Sequence, residues 1–90
     1  MYKVIFTPEA EDDLDRLDKS IAERVVKKIE WLGQHAETVF HHQLSSLPDD
    51  LKCLCRVRIG DWRILYWVYH EKKIIKIYGI EHRSKVYRKL

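Results

Sequence analysis

The chain has 90 residues, of which 46% are hydrophobic and 34% are charged, a composition typical of one ordinary folded domain. It contains no apolar run near the ~18 residues that a membrane-spanning helix needs, and its first residues lead into a strand pattern rather than a signal peptide. The composition excludes a disordered chain, and we expect a soluble, cytoplasmic protein that does not bind membranes.

The charges are unevenly distributed, although the net charge is only +3. Residues 1–50 hold 6 Lys and Arg against 11 Asp and Glu, whereas residues 51–90 hold 11 against 3. Because a concentration of positive charge attracts anionic partners, the second half of the chain is predicted to face a polyanion or an acidic protein.

The first half of the chain predicts one strand and two helices. Residues 2–6 alternate as a strand, after which Thr7 fits the N-cap and Pro8 the first position of a short helix. Asp18 is the predicted cap of a longer second helix, and Gly33 its C-terminal stop. The apolar residues at helical spacing are Ala10, Leu14 and Leu17 in the first helix, and Ile21, Val25, Ile29 and Leu32 in the second.

The second half predicts a loop followed by strands. Residues 34–50 show no sustained period and are interpreted as a long loop, whereas 51–59, 62–69 and 74–80 alternate with period two. We therefore predict a small single α+β domain over residues 1–90, in β-α-α-β-β-β order. Its two antiparallel helices are expected to pack on one face of an antiparallel sheet, followed by a short basic C-terminal segment.

The register of the first predicted hairpin brings two arginines together. If Gly60 and Asp61 form a two-residue turn, Arg58 lies directly opposite Arg63. Like charges opposite each other destabilise a sheet, so this pair makes most sense where an anion binds between them. Arg56 shares the face, which we interpret as a phosphate site; a solvated basic surface is the alternative.

The second predicted hairpin extends this face into the last strand. Pairing Tyr69 with Ile74 places Ile80 beside Arg63. His82 has the same parity as Ile80 and is therefore expected at the edge of the arginine face.

The two cysteines are predicted to have a structural role. Cys53 and Cys55 are two residues apart, so on a strand they point the same way, in a spacing poorly suited to a mutual disulfide. His41, His42 and His70 follow no metal-ligand spacing around them, so we expect core residues and neither a metal nor a cofactor.

Four segments together resemble a known family: TPEAEDDLDRL, ERVVKKIEWL, CRVRIGDWRILY and HRSKVY. They are similar to the RelE/ParE superfamily of toxins from bacterial and archaeal toxin–antitoxin systems, and look most like its RelE branch. The resemblance covers nearly the whole chain and implies the RelE-like fold. It also implies a metal-independent endoribonuclease that cuts mRNA in the ribosomal A site and is held inactive by an antitoxin.

The candidate site residues follow from this resemblance together with the basic face. The proposed catalytic residues are Arg58, Arg63, His82 and Tyr87, and the proposed RNA or phosphate contacts are Arg56, Arg83, Lys85 and Arg88. His82 is the first choice as general acid or base because its unperturbed pKa, ~6.5, lies near neutrality. Glu81 departs from the RelE pattern, which has a basic residue there; a carboxylate could orient His82 or weaken phosphate binding.

The expected partners are a cognate antitoxin, the ribosome and mRNA, with DNA reached only through the antitoxin. Two other functions stay open. The ParE branch shares the fold and inhibits DNA gyrase without cutting RNA, and a non-catalytic nucleic-acid-binding domain would use the same basic face only to neutralise phosphates.

Overall fold

A computed structural model describes residues 1–85 of the chain. Two helices and five strands occur in this range, together with short 3-10 turns at Asp49–Leu51 and Arg83–Lys85. In chain order they are β1 (Lys3–Phe6), α1 (Pro8–Asp15), α2 (Lys19–His35), β2 (His42–Gln43), β3 (Cys55–Ile59), β4 (Trp62–Tyr69) and β5 (Ile74–His82).

The strands form one sheet in the order β1-β5-β4-β3-β2. The β2–β3, β3–β4 and β4–β5 pairs are antiparallel, but β1 runs parallel to β5. The predicted α+β fold of two helices on a sheet is confirmed, with two corrections. The sheet is mixed rather than antiparallel, because the chain returns past the helices to place its last strand beside its first. The predicted loop 34–50 also contains β2, whose two residues pair with the start of β3.

The helices begin where the sequence indicates, but α2 ends later than predicted. The Thr7 side chain caps α1 by accepting a hydrogen bond from the Ala10 amide at 3.1 Å. Gly33 lies inside α2 rather than at its end. A Cβ at this position would come within 3.2 Å of Val4 Cγ2 and 3.3 Å of the Tyr2 carbonyl oxygen, so glycine lets the helix approach β1 closely.

The hydrophobic core lies between the helices and one face of the sheet. Helix α1 packs against β1 and β5, and α2 packs against β1 and β3. The core joins the apolar stripes of the helices to Tyr2, Cys55, Ile64, Tyr66, Ile75, Ile77 and Ile80 of the sheet. This helix-covered face leaves the opposite face of β3, β4 and β5 available for the arginines. No helix within residues 1–85 has the length and apolar character to cross a membrane.

The cysteines do not share a strand face, contrary to the prediction. Strand β3 begins only at Cys55, which is buried, whereas Cys53 is exposed in the preceding turn with φ of 67°. The strand starts late because residues 49–51 form a 3-10 turn and Leu54 is joined to Leu51 by a backbone hydrogen bond of 3.2 Å. Alternation therefore holds only from Cys55 onward.

Candidate functional site

The first hairpin has the predicted register, and it brings two arginines together. Arg58 on β3 lies opposite Arg63 on β4, across a turn in which Gly60 adopts φ of 58°. Glycine tolerates this left-handed conformation without the strain that a Cβ would introduce. Arg58 is exposed and Arg63 is half-buried. Within residues 1–85, Arg63 Nε is buried without a hydrogen-bond partner, which is uncommon for a polar atom in a folded protein.

The second hairpin contains a β-bulge that the sequence analysis did not predict. Tyr69 pairs with Ile74 as expected, and the same register continues to Tyr66 opposite Ile77. Leu65 then pairs with Gly79, so Tyr78 is an extra residue on β5. A bulge of this kind shifts the register by one residue and exchanges the faces of all the side chains that follow it.

Helix α1 and its cap hold the bulge in place. The Thr7 hydroxyl donates to the Tyr78 carbonyl at 3.0 Å, and the Thr7 amide donates to the Ile77 carbonyl at 3.0 Å. The Ile80 amide donates to Asp13 Oδ2 at 2.9 Å. Backbone groups around the extra residue are therefore paired with side chains some 70 positions earlier in the chain, which explains why local strand periodicity did not indicate the bulge.

The bulge changes which residues of β5 lie beside the arginines. Glu81, rather than Ile80, lies opposite Arg63, and it is buried at 7% exposure. Ile80 belongs to the core on the other face. His82 lies opposite Trp62, with the two rings 5.1 Å apart at 82°. The prediction that His82 emerges on the arginine face is therefore wrong, because it assumed an uninterrupted strand.

The His82 ring also has a defined hydrogen-bonding role. The Ser84 amide donates to His82 Nδ1 at 3.2 Å, and the Ser84 hydroxyl lies 2.9 Å from the same nitrogen. Because an amide N–H can only donate, Nδ1 is the acceptor and the neutral ring carries its proton on Nε2. This geometry directs His82 toward the following turn and Trp62 rather than toward Arg63.

Arg83 joins the arginine pair through the β3–β4 turn. Its backbone amide donates to the Asp61 carbonyl at 2.7 Å, and its Nη1 lies 3.7 Å from Asp61 Oδ1. Both side chains are about two-thirds exposed, so the ion pair itself adds little stability. The backbone bond is what places Arg83 at the turn. The resulting groove, of about 410 Å³, is lined by Arg58, Gly60, Asp61, Trp62, Arg63 and Arg83.

The other predicted site residues lie elsewhere or beyond the described range. Arg56 pairs with His42 of β2 and lines two cavities, one beside the loop that precedes β3 and one that Arg58 also lines. Lys85 belongs to the 3-10 turn after Arg83. The predictions for Tyr87 and Arg88 fall outside the residues that the structure describes. The structure thus places Arg58, Arg63 and Arg83 around one groove. Arg56 lies in a neighbouring cavity that Arg58 also lines, and His82 lies opposite Trp62.

A second polar cluster lies at the opposite end of β4, and the sequence analysis missed it. His41 Nε2 lies 2.7 Å from the Ala36 carbonyl, and His41 Nδ1 lies 2.6 Å from the Tyr66 hydroxyl. A carbonyl only accepts, so Nε2 carries a proton and the Tyr66 hydroxyl donates to Nδ1 of the neutral ring. Next to it, the Tyr2 hydroxyl lies 2.7 Å from His70 Nδ1.

Burial raises the pKa values of two groups near this cluster. The pKa of the Tyr66 hydroxyl rises well above its ordinary value, chiefly by burial and also through Cys55. The pKa of the Cys55 thiol rises to about 11, again by burial and then by the neighbouring Cys53. Both groups therefore stay neutral at physiological pH. Across residues 1–85, no three His, Cys, Asp or Glu side chains are grouped so that they could hold a metal ion.

Comparisons with known proteins agree with this fold. A family model described as "ParE toxin of type II toxin-antitoxin system, parDE" matches residues 4–87. A comparison of the sequence with curated proteins gives no match.

Among solved structures, three toxins are similar over almost their full lengths. The toxin–antitoxin complex RelBE2 from Mycobacterium tuberculosis has 28% identity and a TM-score of 0.75, with 92% of each chain covered. The isolated RelE toxin of E. coli has 20% identity and a TM-score of 0.73, covering 99% of this chain and 94% of that chain. The archaeal RelE–RelB complex from Pyrococcus horikoshii has 24% identity and a TM-score of 0.71, covering 94% and 98%.

Proposed function

The chain belongs to the ParE toxin family of the RelE/ParE superfamily, whose members are toxins of toxin–antitoxin systems, and on that premise we propose that it is a ribosome-dependent mRNA endoribonuclease. The RelE toxins that share its fold make an activity of the RelE kind the first candidate. Under this proposal the protein cleaves mRNA in the ribosomal A site, without a metal, and so inhibits translation in the cytoplasm.

The observation that carries this proposal is the arginine groove at the β3–β4 turn. Arg58 and Arg63 are cross-strand neighbours, and Arg83 is fixed to the same turn by its bond to Asp61. Core packing does not require like charges on the face away from the helices, and their proximity destabilises the sheet in the absence of an anion. Guanidinium groups bind phosphate oxygens through paired donors, so an RNA phosphate fits this groove.

The chemistry that suits such a groove is internal attack on a phosphodiester. The ribose 2′-oxygen attacks the adjacent phosphorus, the 5′-oxygen leaves, and a 2′,3′-cyclic phosphate remains. This reaction needs in-line positioning and stabilisation of the negative charge that develops on the phosphate oxygens. Arg58 and Arg63 supply that stabilisation in our proposal, and Arg83 supports the flanking backbone. Arg56, Lys85 and Arg88 stay predictions as further RNA contacts.

The regulatory partner follows from the family. A toxin of a toxin–antitoxin system is paired with a cognate antitoxin, and two of the three structural relatives described above are toxin–antitoxin complexes. We propose that the antitoxin of this chain is acidic where it meets the basic half of the toxin, because it must neutralise or block that surface. Contact with DNA would then occur only through the antitoxin.

The match to a ParE model supports a second candidate, inhibition of DNA gyrase. One experiment separates the two functions. Purified toxin is incubated with translating ribosomes and a defined mRNA, and the RNA ends are mapped; in parallel it is incubated with gyrase and relaxed plasmid. New ends at ribosome-occupied codons support the endoribonuclease, whereas loss of supercoiling with intact mRNA supports the ParE activity. Protection of RNA without either effect would indicate a non-catalytic binder.

A further inference from the structure

The bulge at Tyr78 places a carboxylate, not an imidazole, beside the arginine pair. Arg58, Arg63 and Glu81 occupy facing positions on β3, β4 and β5, so they form one row across three adjacent strands. Residues opposite each other in a sheet have Cβ atoms about 4.5–5.5 Å apart. Arg63 therefore has a second arginine beside it on one neighbouring strand and a carboxylate beside it on the other.

From this row we propose that Glu81 is the catalytic residue that accepts the proton of the attacking 2′-hydroxyl. The role rests on the proposed endoribonuclease function and specifies which group of this chain moves the proton. It differs from the expectation drawn from the sequence, in which His82 lies at the edge of the arginine face and is the first choice as general acid or base.

The burial of Glu81 indicates that it has a specific role. It is 7% exposed and is the one charged residue classed as buried among those whose burial the structure describes. Burying a carboxylate is costly unless neighbouring charges and hydrogen bonds compensate, and Arg63, directly opposite on the adjacent strand, is the nearest positive charge that the register places beside it. Glu81 also offsets the repulsion between Arg58 and Arg63. The β-bulge holds this carboxylate on the strand next to Arg63, on the side away from Arg58, and in our proposal it reaches the 2′-hydroxyl of the bound RNA from there.

The other titratable groups near the turn are directed elsewhere. His82 lies on the opposite face against Trp62, and its Nδ1 already accepts from Ser84. Asp61 is exposed, and its carboxylate lies 3.7 Å from Arg83 Nη1. Neither His82 nor Asp61 therefore places a proton acceptor beside Arg63 on the side away from Arg58.

The proposed step needs only the RNA, Glu81 and water to account for every proton and bond. The 2′-hydroxyl transfers its proton to the Glu81 carboxylate while its oxygen forms a bond to phosphorus. The bond between phosphorus and the 5′-oxygen breaks, and the departing oxygen takes a proton from water. Glu81 then releases its proton to solvent, so the enzyme returns to its starting state.

The first test measures single-turnover cleavage of ribosome-bound mRNA by the full-length protein across acidic and neutral pH. The Glu81→Gln variant keeps the shape of the side chain but cannot accept a proton, so we expect a rate on the order of a hundredfold or more below wild type. The acidic limb of the pH–rate profile should also disappear. Glu71→Gln, an exposed site in the β4–β5 turn, is the matched control and should behave as wild type.

The second test distinguishes a general base from a general acid or a structural role. An mRNA with sulfur in place of the 5′-bridging oxygen at the cleaved bond has a better leaving group, which removes the need for an acid but not for a base. We expect Glu81→Gln to stay slow on this substrate. Glu81→Asp retains a carboxylate, so it should cleave at an intermediate rate and keep the acidic limb of the pH–rate profile. A purely structural role for Glu81 would not require that limb to be kept.

Several results would overturn the assignment. Glu81 is excluded as the base if Glu81→Gln cleaves within a few-fold of wild type, or if the sulfur substrate restores the cleavage rate of this variant. It is also excluded if the acidic limb of the pH–rate profile is lost only in His82→Gln. An mRNA with a 2′-deoxy sugar at the cleavage site cannot be cleaved, so it measures binding alone. If Glu81→Gln fails to bind this mRNA, the role of Glu81 is in binding instead. Wild-type protein that leaves mRNA intact would instead refute the proposed function itself, so the two failures are distinguishable.

Discussion

Polar side chains have different surroundings at the two ends of β4. At the start of the strand, Arg63 is next to another arginine and is half-buried, with a buried Nε that lacks a partner within residues 1–85. Toward the other end, Tyr66 is buried, and its hydroxyl is paired with His41, whose second nitrogen is paired with a backbone carbonyl. One end therefore carries neighbouring like charges that an anionic ligand can neutralise, whereas the polar groups at the other end are paired with each other and with the backbone.

This contrast separates function from stability within one strand. Buried polar groups that are fully paired fix the positions of the elements around them, whereas adjacent like charges reduce stability unless a ligand binds. Substitutions at the arginine end should therefore affect cleavage more than folding, and substitutions at the histidine–tyrosine end should do the reverse.

Replacing Arg63 with alanine should produce the largest effect on activity. It removes a guanidinium from the phosphate site, so the loss of transition-state stabilisation should be about 3 kcal/mol, roughly a hundredfold in cleavage rate. The thermal midpoint should fall as well, because the buried Glu81 carboxylate loses the guanidinium on the adjacent strand, although relief of the like-charge pair with Arg58 offsets part of this loss. Single-turnover cleavage on ribosomes and circular dichroism melting measure the two quantities.

Lys72→Ala, at an exposed site in the β4–β5 turn, controls for a general loss of positive charge. Arg63→Lys keeps the charge but loses the paired donors, so it should fall between wild type and Arg63→Ala. An Arg63→Ala protein that still cleaves within a few-fold of wild type would remove the distinction between the two ends of the strand.

The second prediction concerns the anchor of the bulge. Asp13→Ala removes the acceptor of the Ile80 amide, and a buried donor without a partner costs about 1–3 kcal/mol. Cleavage should fall as well, because the bulge aligns Glu81 with Arg63. Denaturant unfolding and single-turnover cleavage measure the two effects, with the exposed neighbour Asp12→Ala as control. Unchanged cleavage by a destabilised Asp13→Ala protein would show that the bulge is not needed for activity.

The bulge also marks the limit of what the sequence predicted. The β3–β4 hairpin was predictable to the residue because its turn and its alternation are local. The partners that hold the bulge, Thr7 and Asp13, lie at the other end of the chain, and no local pattern connects them to Tyr78. The parallel pairing of β1 with β5 is non-local in the same way. The arginine pair was therefore found from sequence, whereas the residue beside it was misassigned.

The third prediction tests the paired end of β4. Tyr66→Phe leaves His41 Nδ1 without its donor, so the free energy of unfolding should fall by about 1–2 kcal/mol. Cleavage should stay within a few-fold of wild type, because this site lies away from the arginine groove. Tyr69→Phe, at an exposed position on the same strand, is the control for both measurements. If Tyr66→Phe impairs cleavage as strongly as Arg63→Ala without destabilising the fold, the two ends are not separate in function.

The smallest expected effect is a loss of stability at alkaline pH from Cys55. Its pKa is raised from 9.0 to about 11 in the folded protein, chiefly because the thiol is buried. A group whose pKa is raised by folding contributes stability below its unfolded pKa, and that contribution is lost as pH rises from 9 through 11. Denaturant unfolding in a reductant, at several pH values across this range, should therefore show a decline that is shallower in Cys55→Ala than in wild type. Cys53→Ala should keep most of the slope, because Cys53 is exposed and is only the second cause of the shift. Equal slopes in all three proteins would mean that the thiol reaches solvent in the folded state and that this end of the core is less closed than its burial indicates.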